Sequence, residues 1–200
     1  MDFLQSLRLD QTPTNPVICF VGSGGKTTAL FQLARQLINR RSSIKDHKSI
    51  IITATSHLGI WQTSFADHHI IAGKSDKMEL PSEGVILVTG EIDGDRTKPV
   101  NSNTLNWLHA KTETDEIPLL IEADGSRQKP LKGWAEHEPP IPDFVDHVIT
   151  VVGLSGLGKS LTEEHVHRPE IFAELSGLKA GEIIDSNAVT HVLDHAVRLG

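Results

Sequence analysis

Two hundred residues suit one domain with a core large enough to need neither disulfides nor a structural metal. Apolar residues at 38% and charged residues at 22% exclude a disordered or fibrous chain, and a net charge of −7 argues against a nucleic-acid binder. The single cysteine, Cys19, excludes a disulfide scaffold and a multi-cysteine zinc site, and no apolar run approaches the roughly 20 residues of a membrane span. Met1 to Asp10 show no basic start followed by an apolar core, so the expectation is a cytoplasmic protein with no membrane contact.

Residues 16–21 read as a buried strand. A helix is predicted over 27–41, where Leu30, Leu33, Ala34, Leu37 and Ile38 recur at helical spacing. Residues 48–55 and 84–89 are the next strands, and 102–112 a helix capped by Ser102 or Asn103. Strands follow at 117–122 and 146–152. Pro169 opens a short helix that Gly177 ends, and Ser186 caps a last helix over 186–199. Non-alternating Val/Ile/Leu strands between amphipathic helices imply an α/β fold with a mainly parallel sheet covered on both faces. Ligands in such sheets sit at the carboxyl ends of the strands. Residues 123–143 are long, polar and proline-rich, and a loop of that length points to function.

Two stretches match a phosphate loop. Gly153-Leu154-Ser155-Gly156-Leu157-Gly158-Lys159-Ser160 satisfies the strict pattern. In residues 20–27, Phe20 takes the place of the first glycine. The imperfect stretch is nevertheless the better candidate, because the chemistry needs a strand, a glycine turn and then a helix whose first amides face phosphate. Gly22, Ser23, Gly24, Gly25, Lys26, Thr27 and Thr28 have that setting. Lys26 would reach the β/γ-phosphates and the Thr27 hydroxyl would hold Mg²⁺. Leu161 to Arg168 have weak helical periodicity and Pro169 limits any helix there, so Lys159 is expected only to line the same cleft.

The partner carboxylate is expected at Leu119-Leu120-Ile121-Glu122-Ala123-Asp124-Gly125. Glu122 would hold the magnesium through water, Asp124 would ligate it or orient the attacking water, and the Gly125 amide would approach the γ-phosphate. The plain alternative is a strand ending in an Asp-Gly turn. Thr53 to His57 end the second strand, where their hydroxyls could meet phosphate or serve only the sheet and turn. Arg127, Lys129 and Lys132 would neutralise phosphate or hold an acidic co-substrate, against the alternative of solvated loop charges. His165 and His167 lie in the densest ionisable run. Two ligands at that spacing are a weak metal signal, and a substrate or partner contact is preferred for them. His68-His69 and His191/His195 read as surface pairs, Cys19 as a buried small hydrophobe, and the three tryptophans show no stacking pattern.

In order along the chain, 22–28, 53–57, Glu122 to Arg127, Glu136-His137-Glu138-Pro139, and Gly158-Lys159 with Glu164 to Glu170 resemble the YqeC family. The Glu-Ala-Asp-Gly-Ser-Arg and Glu-His-Val-His-Arg-Pro-Glu blocks are the specific part. The resemblance implies a P-loop NTPase-like three-layer sandwich that binds Mg²⁺ with ATP or GTP. It further implies an accessory protein for a selenium-dependent molybdenum hydroxylase or its cofactor, working with other maturation factors. His57, Lys132, His137, Lys159, His165, His167 and Arg168 are the expected substrate or partner contacts. Glu122-x-x-Gly125 is also similar to metallochaperone GTPases, and the short loop to Mur peptide ligases. Family members extend further and carry an Asn-Lys-x-Asp-like segment that reads guanine in GTPases. None occurs in these 200 residues, so a further C-terminal segment is expected and the base stays open. Three functions compete: a nucleotide-driven switch for a client, a small-molecule kinase or ligase acting on an acidic substrate, and a scaffold whose nucleotide is structural.

Overall fold

A computed structural model describes residues 3–9, 15–41, 48–73, 78–136 and 138–199, so the predicted contact His137 lies outside the described residues. In chain order the elements are α1 (Phe3–Ser6), β1 (Val17–Gly22), α2 (Lys26–Arg41), β2 (Lys48–Ala54), β3 (Leu58–Gly59), a 3₁₀ helix (Ile60–Phe65), β4 (His68–Ile71), β5 (Glu83–Thr89), β6 (Ile92–Asp93) and β7 (Arg96–Thr97). There follow α3 (Ser102–Thr114), β8 (Leu119–Glu122), β9 (Leu131–Lys132), β10 (His147–Val151), a 3₁₀ turn (Leu154–Gly156), β11 (Val166–His167), α4 (Pro169–Ser176) and α5 (Ser186–Leu199). The chain divides into two compact units. One takes 1–20, 27–122 and 142–149, and the other 21–26, 123–141 and 150–200.

The first unit is built on a six-stranded sheet in the order β10-β1-β8-β2-β5-β4. β8 pairs in parallel with β1 and β2, and β5 with β2 and β4. The central strands are the Val/Ile/Leu runs, with Ile18, Ile50, Ile51, Val85, Ile86, Leu119 and Leu120 wholly buried. Burial on both faces is what a parallel sheet with helical crossovers demands. Leu30, Leu33, Ala34 and Leu37 of α2 are buried, as their spacing predicts, and Cys19 is a core residue. The fold is the predicted α/β class with a mainly parallel central sheet, consistent with a P-loop NTPase-like sandwich.

His68 and His69, read as a surface pair, lie on the edge strand β4, with His68 exposed and His69 half-buried, its Nε2 2.8 Å from the Thr89 hydroxyl. Two helix caps differ from expectation. The cap of α3 is Asn101, whose side chain accepts the Thr104 N–H at 2.8 Å. Asp185, not Ser186, serves the start of α5 by accepting the Ala188 N–H at 2.8 Å.

The second unit has its own core of Leu131, Trp134, Leu161, Val166, Phe172, Ile184, Ala188 and Val192. β9 and β11 pair in parallel, with Leu131 opposite Val166 and Lys132 opposite His167. Side chains alternate across a strand, so Leu131 and Val166 enter this core while Lys132 and His167 take the other face. α4 starts with Pro169 after Arg168, whose backbone is left-handed (φ 59°), and ends at Gly177, left-handed at φ 78°. Among the described residues no helix is long and apolar enough to cross a membrane.

Candidate phosphate-loop site

The loop between β1 and α2 needs its glycines. Gly22, Gly24 and Gly25 all have positive φ, at 97°, 75° and 117°. A Cβ on Gly22 would fall 2.2 Å from the Val151 carbonyl oxygen, and one on Gly24 would fall 2.4 Å from the Gly153 Cα. Ser23 donates its N–H to Val151 O at 2.8 Å and its hydroxyl to Pro130 O at 2.9 Å. Gly24, Gly25 and Thr28 are exposed, while Lys26 is buried. The Phe20 that spoils the strict pattern is a core residue of β1, two positions before the turn begins.

Asp124 organises this unit's polar centre. Its wholly buried carboxylate accepts the Gly22 N–H at 3.0 and 3.1 Å through its two oxygens. Lys26 Nζ lies 3.2 Å from Oδ1 and also donates to Gly22 O at 2.5 Å. Lys132 Nζ meets Oδ2 at 2.9 Å, and Trp134 Nε1 donates to the same oxygen at 3.2 Å. An ionised carboxylate in so dry a place requires such donors, because an unpaired buried charge is costly.

Lys132 donates further to Gly125 O at 3.0 Å and pairs with Glu138 at 2.9 Å. Its three N–H groups thus have three acceptors. Glu138 receives Arg168 through both guanidinium nitrogens, Nη2 to Oε1 at 3.1 Å and Nη1 to Oε2. Burial pushes the Glu138 carboxyl up, but the hydrogen bonds and charges of Arg168 and Lys132 outweigh it and hold the pKa at about 2. Arg168 is raised, chiefly by its hydrogen bond to Glu138. His167 is lowered by burial and then by the charges of Arg168, Lys132 and Arg127, which favours the neutral ring.

In the first unit, Thr27 donates its hydroxyl to Glu122 Oε2 at 2.7 Å and accepts from Gln62 Nε2 at 2.8 Å. Gln62 is fixed by accepting the Gly59 N–H at 2.7 Å. Thr27 and Glu122 present hard oxygen donors side by side, the donor type that magnesium takes. The buried Thr53 hydroxyl serves the sheet by donating to Val88 O at 2.9 Å. His57 is exposed, with its carbonyl accepting from Arg96 at 2.9 Å.

The second unit therefore gathers the loop with Asp124, Gly125, Lys132 and Arg168. Arg127 is exposed in a left-handed conformation (φ 49°), and Lys159 is exposed on a loop followed by turns and β11 rather than a helix. Gly153 of that strict match packs against the loop it was expected to neighbour, at Gly24. His165 is half-buried, 3.9 Å from the Glu164 carboxylate, and no group of three or more metal-ligating side chains occurs among the described residues. Reading the sequence alone missed Gln62, Trp134 and the pairing role of Glu138. The dense ionisable run from Glu163 to Glu170, which holds Arg168, was a hint that Glu138 would find a cation.

A family model described as YqeC protein matches residues 18–170. The chain belongs to the YqeC family. It is 33% identical over 187 residues to the Escherichia coli (strain K12) protein named "Uncharacterized protein YqeC", covering 90% of this chain and 68% of that protein. No solved structure matches it. The YqeC match takes in the glycine loop, Glu122, Asp124, Lys132, Glu138 and Arg168, so both polar centres lie inside the family region.

Proposed function

We propose that this YqeC protein binds a magnesium nucleoside triphosphate and hydrolyses it slowly, as an accessory protein that changes state for a client. The observation that carries the reading is the loop at 22–25. Its three positive-φ glycines are followed directly by a buried lysine at the start of a 16-residue helix. Lys26 and the amides from Gly24 onward would bind the β/γ-phosphates, and Thr27 with Glu122 would hold magnesium, whose charge would offset that developing on the transferred phosphoryl group. Asp124 would keep Gly22 and Lys26 in place. The client, a selenium-dependent molybdenum hydroxylase or a factor that matures it, follows from the family resemblance alone. A kinase or ligase reading has less support, since Lys132, the expected acceptor contact, already donates to Asp124, Gly125 and Glu138.

The test is calorimetric titration of the full chain with ATP and with GTP, each with Mg²⁺. Binding of one or both, lost in Lys26→Ala and kept in Lys159→Ala, is the expected result, and the nucleotide held more tightly names the preferred base. A folded wild-type protein that binds neither nucleotide overturns the reading.

A further inference from the structure

Lys26, Asp124, Lys132, Glu138 and Arg168 alternate in charge without a break inside the second unit. The first three links measure 3.2, 2.9 and 2.9 Å, and the bidentate Arg168–Glu138 pair closes the chain. Asp124 and Lys132 are wholly buried, and the Glu138 and Arg168 side chains are 16% and 27% exposed. This burial shields the path from solvent, so a charge change at one end is weakly screened at the other. Lys26 and Lys132 share one carboxylate, Lys26 on Oδ1 and Lys132 on Oδ2. Glu138 draws on Lys132 from the far side, and Arg168 neutralises Glu138. Lys132 has no proton left for a ligand, so anything it does to the loop passes through Asp124.

We propose that Glu138 and Arg168 are positioning residues that set the phosphate loop's affinity for its anionic ligand, acting through Lys132 and Asp124. The proposal rests on the nucleotide reading above. Without the Glu138 charge, the chain becomes more positive and holds an anion more tightly. Without Arg168, Glu138 is uncompensated and the anion is held more weakly. The two changes break the same ion pair, so a purely structural role would move both variants in the same direction.

Calorimetric titration of the full chain with Mg-ATP and Mg-GTP, on wild type, Glu138→Gln, Arg168→Gln and the double variant, tests this. Glu138→Gln is expected to tighten binding roughly tenfold and Arg168→Gln to weaken it roughly tenfold. The double variant should fall within about threefold of wild type, because the two changes offset. Shifts of the same sign, or no shifts, in a wild-type protein that binds nucleotide would overturn this proposal and leave the nucleotide reading standing. Wild-type protein that binds neither nucleotide overturns both. If thermal unfolding shows that one single variant does not fold, the other single variant is compared with the double variant: a shift of the expected sign that the double variant restores supports the proposal, and equal binding in the two overturns it.

Discussion

Residues 22–27 and 153–160 each end in glycine, lysine and a hydroxyl residue, and the structure treats them as different objects. Gly25-Lys26-Thr27 runs into the 16 residues of α2, and Lys26 is buried beside Asp124. Gly158-Lys159-Ser160 runs into turns, and Lys159 is exposed. The strict match lacks the structural half of the motif. Its N–H groups go elsewhere: Gly158 donates to Ile184 O at 2.9 Å, Lys159 to Gly156 O at 3.3 Å. A phosphate cradle requires free amides converging at a helix start, and a pattern of residue types does not ensure them. The imperfect match has the positive-φ turn and the helix, and its missing first glycine falls inside a strand where a large apolar residue is wanted.

The largest expected effect separates the two lysines. Lys26→Ala should weaken nucleotide binding by about a hundredfold or more, as loss of a charge-assisted contact in a buried site does. Lys159→Ala should change it by less than about twofold, since exposed charges contribute little. Equal losses in the two variants, read by calorimetry on folded protein, would break the distinction.

The glycines separate the stretches next. Gly22→Ala places a methyl 2.2 Å from the Val151 carbonyl and forces alanine to φ 97°. Clash and backbone strain together should cost about 3 kcal/mol or more of stability. Urea unfolding followed by circular dichroism measures this, and a cost below about 1 kcal/mol would mean that the loop yields freely.

Much of this architecture was legible in the sequence, and the reason is local. β1, β2, β5 and β8 are buried apolar runs, and α2 carries its own stripe, so nearby residues suffice to identify them. The loop was legible once its flanking elements were weighed with its glycines. β4 was not, because an edge strand reading His68-His69-Ile70-Ile71 is half-exposed and lacks an apolar signature. β9 and β11 have two residues each, too few for a period to show. The Asp124 centre depends on Gly22, Lys26, Lys132 and Trp134 arriving from separate segments, and the Arg168–Glu138 pair joins residues thirty apart. Such partners are set by tertiary packing. The helix caps were displaced by one or two positions because Asn101 and Asp185 stand beside other plausible caps.

Acid should act on the first stretch through its ion chain. Glu138 titrates near 4.5 when unfolded and at about 2 in the fold. Its contribution is therefore complete above pH 4.5 and is lost as the pH falls toward 2. His167, also lowered from 6.5, adds an earlier loss of the same sign as the pH falls below its unfolded value. Urea melts at stepped pH should show wild type and Glu138→Gln well separated at pH 7 and converging near pH 2. A gap that stays constant over that range would remove Glu138 from the account.

The smallest expected effect lies in the second stretch and calibrates the rest. Gly158 also has positive φ, at 73°, yet nothing lies within 4 Å of a Cβ placed there. Gly158→Ala therefore meets the left-handed backbone penalty and no clash, and should cost about 1 kcal/mol. Because Lys159 makes no phosphate contact in the proposed site, the same variant should leave nucleotide binding unchanged. Subtracting its unfolding cost from that of Gly22→Ala isolates the part due to close approach against Val151. Comparable costs in the two variants would mean that backbone conformation alone, and not the packing of the loop against β10, makes glycine necessary at position 22.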